Sequence, residues 1–161
     1  MLILAKTLLV TALFVTFIQD QKERRVYWFL FPIIGVLGGL LFYNKVSLNI
    51  FLTSVGVNLL IVGVLLLVIF LYAKFKLKIR AYKAIGLGDI FLFLAATVCF
   101  TYPSFIVLFV SALIFSLILH LYKTRDKKQD ITVPLAGYMC LFFLVCFSAN
   151  WLGIVNNLYV I

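Results

Sequence analysis

Long apolar runs, separated by short polar connectors, make up almost the whole chain. They cover residues 2–18, 26–43, 50–72, 84–102, 104–122 and 133–151. Each reaches or approaches the roughly 20 residues with which a helix crosses about 30 Å of hydrocarbon. Open strands would leave backbone N–H and C=O groups unsatisfied in lipid, so the pattern predicts an all-α fold. The expected architecture is a polytopic membrane protein, a bundle of six transmembrane helices forming a single domain over 1–161.

Composition agrees with the pattern. Of 161 residues, 66% are hydrophobic and only 12% charged, an apolar share well beyond that of ordinary soluble domains. The basic residues then orient the bundle. Lys22, Arg24 and Arg25 lie in the first connector, Lys74, Lys76, Lys78, Arg80 and Lys83 in the third, and Lys123, Arg125, Lys127 and Lys128 in the fifth. Odd-numbered connectors share one side of the membrane, and the positive-inside rule makes that side cytoplasmic, with both termini outside the cytoplasm. Lys6 lies on the opposite side and is expected to snorkel toward the outer headgroups. A net charge of +9 is thus explained by topology and contact with an anionic lipid bilayer, and no nucleic acid partner is implied.

Several features read as packing. After the apolar stretch at 7–18 comes Gln19-Asp20-Gln21-Lys22 and no small-residue cleavage site, so the first helix is expected to be retained. Cys99, Cys140 and Cys146 fall inside apolar runs without paired spacing, as buried apolar residues do. His120 has no partner at metal-ligand spacing, so no metal or other cofactor is expected. Gly35, Gly38 and Gly39 in the second run, with Gly56 and Gly63 in the third, are expected to let helices approach closely. Ser54 and Asn58, one turn apart, are candidates for a hydrogen bond between helices.

Acids are the scarce residues, five in all, and Glu23, Asp126 and Asp130 lie in basic connectors. Asp20 and Asp89 remain. The first sits at the cytoplasmic end of helix 1 and the second near the cytoplasmic start of helix 4, so topology alone brings them to one face. From Asp89 to the turn marked by Tyr102, Pro103 and Ser104 is roughly 20 Å of helix, too little to span. Residues before Asp89 must therefore join the crossing, which sets its carboxylate below the headgroups. An ionisable group at that depth is costly and points to function. Gly86 and Gly88 just before it permit unusual backbone angles and close approach of another chain. Structural roles are the competing interpretation: Asp89 capping helix 4, and Asp20 pairing with Lys22, Arg24 or Arg25.

Gly86-Leu87-Gly88-Asp89 resembles the GxGD signature of intramembrane aspartyl proteases. The layout as a whole resembles the type IV prepilin peptidase family, which includes archaeal preflagellin peptidases. Asp20-Gln21-Lys22-Glu23-Arg24-Arg25-Val26 is similar to the family's first aspartate motif at the end of helix 1. Thr132-Val133-Pro134-Leu135-Ala136-Gly137 resembles its proline-containing opening of the last helix. Many members carry a lysine two residues after the second aspartate, where this chain has Phe91, and Tyr27-Trp28 stands where asparagine or proline is common. The cytoplasmic cysteine-paired insertion and methyltransferase activity of larger members have no counterpart here.

The resemblance implies an aspartic-type endopeptidase with Asp20 and Asp89 catalytic, Gly86 and Gly88 as an active-site loop, and Pro134 in a final-helix or substrate motif. It implies no cofactor, and as partner and substrate a type IV pilin-like precursor in a prokaryotic cytoplasmic membrane. That precursor is cut where a basic leader meets an apolar helix. Two close carboxylates cannot both ionise cheaply, so a shared proton and water-mediated attack are expected. A flexible Gly86–Gly88 segment would let helix 4 swing Asp89 toward Asp20 when substrate arrives. The alternative is a small membrane transporter, or an inactive assembly subunit, with Asp89 as a proton or cation site.

Overall fold

A computed structural model describes residues 2–23, 26–77, 85–124, 134–155 and 158–159. These form α1 (Leu2–Lys22), α2 (Leu30–Tyr43), α3 (Leu48–Tyr72), α4 (Leu87–Thr97), α5 (Tyr102–Thr124) and α6 (Leu135–Trp151). A π-helical turn at Ala73–Leu77 prolongs α3. Three helices, α1, α5 and α3 with its extension, are long and apolar enough to cross a membrane, and α2, α4 and α6 are shorter apolar helices. The fold is all-helical among the described residues, and the chain is a membrane protein. Arg24, Arg25, Lys78, Arg80, Lys83, Asp126, Asp130, Thr132 and Val133 lie outside the described residues.

Most boundaries follow the apolar runs, and the departures are informative. α1 continues past residue 18 to Lys22, so Asp20 belongs to a helix. α2 starts at Leu30, later than the expected residue 26, with Tyr27 and Trp28 exposed ahead of it. The largest departure is α4, which spans 11 residues where the run over 84–102 predicts a full crossing. Its chain turns at 98–101 while still inside protein: Cys99, Phe100 and Thr101 are all buried.

That internal turn is stable because its backbone is satisfied. Asn58 of α3 is fully buried, and its Nδ2 donates to Thr97 O and Phe100 O, both at 2.9 Å. The last carbonyls of a helix have no partners within it, so a side-chain donor in an apolar setting removes a substantial penalty. On the α5 side, Phe105 N–H donates to Thr101 O at 2.8 Å, and the Thr101 hydroxyl donates to Ser104 Oγ at 3.0 Å. Pro103 falls in the first turn of α5, where its missing N–H costs nothing. The expected interhelical role of Asn58 is therefore realised, whereas Ser54 Oγ makes no hydrogen bond among the described residues.

α6 packs against α1, α5 and α4, α2 bridges α1 and α4, and α3 lies outside on α4 and α5. Glycines bring α2 and α4 together. A Cβ on Gly35 would touch Ala95, one on Gly39 would meet the Val98 carbonyl oxygen at 3.4 Å, and one on Gly38 would overlap Cys99 Sγ. Gly56 and Gly63 behave differently from expectation: a Cβ on either would have nothing within 4 Å among the described residues, because α3 turns that side outward.

Two registers fix heights in the bundle. α1 and α6 run antiparallel, so Lys6 meets Trp151 at one end, with Nζ 5.1 Å from the ring, and Asp20 meets Gly137 at the other. α4 and α6 run parallel, pairing Asp89 with Ala136 and, at the same 47-residue offset, stacking Phe100 on Phe147 at 5.2 Å. Lys6, expected to reach toward headgroups, places its cation over an indole face at the end of α6.

Candidate active site

The inward face of α1 is Ala5, Leu9, Ala12, Leu13, Thr16 and Asp20, a single stripe with gaps of three or four residues apart from the adjacent Ala12 and Leu13. Asp20 is the last position of that stripe. Its side chain therefore points where the apolar ones do, into the bundle, and only 9% of the residue is exposed. Carboxylates are rarely buried to that degree without donors. The donor is the backbone of α6, where Gly137 N–H reaches Asp20 Oδ2 at 2.6 Å.

Asp89 arrives from the opposite direction. Gly86 is the N-cap of α4, its carbonyl accepting from Asp89 N–H at 3.1 Å and from Ile90 N–H at 3.3 Å. Asp89 thus falls in the first turn, where its half-buried carboxylate receives a backbone hydrogen bond from Gly86. So far this is a helix cap, the structural role weighed for Asp89 above. The other oxygen, Oδ1, leaves the helix and accepts from Ala136 N–H of α6 at 2.9 Å. A cap on α4 does not require that second bond.

Asp20 and Asp89, far apart in sequence, therefore end on successive amides of one helix N-terminus and lie within electrostatic reach of each other. The first N–H groups of a helix have no partners within it and carry partial positive charge, so they suit anionic side chains. Pro134 is the N-cap of α6, half-buried, and its carbonyl accepts from Tyr138 N–H at 3.3 Å. Its fixed φ starts the helix where the two amides are needed.

The glycines do not act through unusual dihedrals. Gly86 has φ −67° and ψ 143°, and Gly88 lies within α4; the positive-φ glycine among the described residues is Gly153. What Gly86 and Gly88 supply is space. A Cβ on Gly86 would lie 3.0 Å from Asp89 Oδ2, and one on Gly88 would sit 3.5 Å from the Phe31 ring. Gly86 is the N-cap and Gly88 lies in the first turn of α4, and in this structure both aspartates bond to α6.

Two further residues border the pair. Gly137 leaves no room for a side chain beside Asp20, and Cys140, one turn further along α6 and fully buried, lies within electrostatic reach of both carboxylates. The apolar run around Cys140 points to packing alone and gives no sign of this proximity. Near the basic connectors, Lys123 Nζ donates to Gln21 Oε1 at 2.6 Å and ties the end of α5 to that of α1. Among the described residues no three His, Cys, Asp or Glu side chains cluster as metal ligands would. Comparisons of the chain with protein-family models, with curated proteins and with solved structures give no match.

Proposed function

We propose that the chain is an intramembrane aspartyl endopeptidase that removes the basic leader from type IV pilin-like precursors at the cytoplasmic face of a prokaryotic membrane. In this reading all six helices cross the bilayer, the basic connectors face the cytoplasm and both termini face outward. The observation that carries it is the meeting of Asp20 and Asp89 on adjacent amides of α6.

The chemistry follows from two carboxylates sharing one site and one proton. The ionised member takes a proton from a water molecule, whose oxygen then adds to the scissile carbonyl carbon. The protonated member donates to the carbonyl oxygen. Collapse of the tetrahedral intermediate breaks the C–N bond as a proton passes to the leaving amine, leaving the pair ready for another turnover. Each step uses acids that the site already holds, and the low dielectric around them strengthens the electrostatics.

A cation-coupled transporter is the less fitting alternative. A cation site adds further oxygen ligands around its carboxylates, whereas α6 presents backbone N–H groups to Asp20 and Asp89, the complement of a negative group. The test of the peptidase reading is co-expression with a precursor carrying a basic leader and an apolar helix. Asp20→Asn and Asp89→Asn should each stop cleavage while expression and membrane insertion stay normal. Continued processing in either variant defeats it.

A further inference from the structure

We propose that the first turn of α6 is the positioning element of the aspartate pair, with Ala136 and Gly137 as its positioning residues. The inference rests on the peptidase reading and adds to it the device that sets the geometry of the acids. α1 and α4, which carry the two aspartates, have little direct contact with each other; both pack on α6. Their side chains could therefore drift apart without disturbing an α1–α4 interface. α2 also bridges the two helices, but the bonds that tie both carboxylates to one element are a pair of consecutive N–H groups, at 2.6 and 2.9 Å. Amides one residue apart on a helix end are fixed relative to each other by the covalent chain, so acids bound to them are fixed as well.

Gly137 makes the closer of these contacts possible. A Cβ there would lie 2.9 Å from both Cβ and Oδ2 of Asp20 and 3.3 Å from its Cγ. The Cβ of Asp20 moves only with the backbone of α1, so rotating the carboxylate cannot relieve the overlap. Any side chain at 137 must part α1 from α6 at the height of the acids. The overlap lies inside the bundle, between α1 and α6, so the expected defect is in turnover.

The measurement uses the purified full chain, reconstituted with a pilin-like precursor. Gly137→Ala is expected to lower kcat about 10²-fold, the scale of a misplacement near 1 Å. Ala136→Pro deletes the N–H that serves Asp89 within a first turn that tolerates proline, and should lower kcat about tenfold, with KM unchanged in both. Leu135→Pro, at the helix position where proline is favoured, should behave as wild type. In parallel, isotope-edited infrared spectra of 13C-aspartate protein, with bands assigned through Asp20→Asn and Asp89→Asn, should show carboxyl bands that move in Ala136→Pro and Gly137→Ala. Wild-type kcat in both variants, a change in KM alone, bands that stay in place, or an equal loss in Leu135→Pro would each overturn the assignment. If wild-type protein cleaves no precursor, the peptidase reading fails and the infrared spectra still decide whether α6 holds the pair.

Discussion

Two helix ends are sealed inside this bundle, and they are sealed in opposite ways. At the end of α4, the neutral carboxamide of Asn58 donates to two backbone carbonyls. At the start of α6, the carboxylates of Asp20 and Asp89 accept from two backbone amides. Both solve the problem that a helix terminus in an apolar medium has unpaired backbone groups. The neutral solution is enough for that purpose, since Ser, Thr or Asn caps an N-terminus about as well as Asp. Two acids at one terminus bring ionisable groups into a setting where charge is costly. In the proposed peptidase reading, the contrast is between a structural seal and a site that retains acids for their proton chemistry.

The same contrast orders the expected effects of substitution. Asp20→Asn and Asp89→Asn should produce the largest, complete loss of precursor cleavage, with thermal unfolding in detergent unchanged or raised because asparagine still accepts from the α6 amides without a charge. Asn58→Leu should do the reverse. Losing two interhelical hydrogen bonds and orphaning two carbonyls should cost about 2 kcal/mol in reversible unfolding, while the aspartate bands in infrared spectra stay in place. Gly38→Ala comes next, at about 1 kcal/mol of overpacking against Cys99, and Cys99→Ala in the same chain should recover most of it. Gly56→Ala should show no such cost. The smallest effect is expected for Lys6→Gln, about 0.5 kcal/mol from the lost cation–indole contact, read from the same unfolding curves.

The meeting of the two acids was legible in the sequence because it depends only on coarse features. Six apolar runs with basic residues in every other connector predict that Asp20 and Asp89 share a face. Two other features could not be read that way. The early end of α4 is hidden because Val98, Cys99 and Phe100 are as apolar as a helix interior, and what permits a turn there is Asn58, distant in sequence. The role of α6 is hidden for a deeper reason: its contribution is two backbone N–H groups, and every non-proline residue has one. The available signal was Gly137, whose missing side chain leaves room for Asp20, but a glycine in an apolar run reads equally well as helix packing. Gly56 and Gly63 show how ambiguous that signal is, since the same residue type on α3 faces outward with no neighbour.

The antiparallel register of α1 and α6 makes the two helices a ruler. Its zero mark is the Lys6–Trp151 contact, of a kind that favours the polar edge of a membrane, and the acids sit about 21 Å along it. With the topology and activity proposed above, their depth is measured from the far leaflet. A bilayer of longer acyl chains would then submerge them further below the near headgroups, a thinner one would lift them toward water, and lipid length would set which backbone carbonyl they meet.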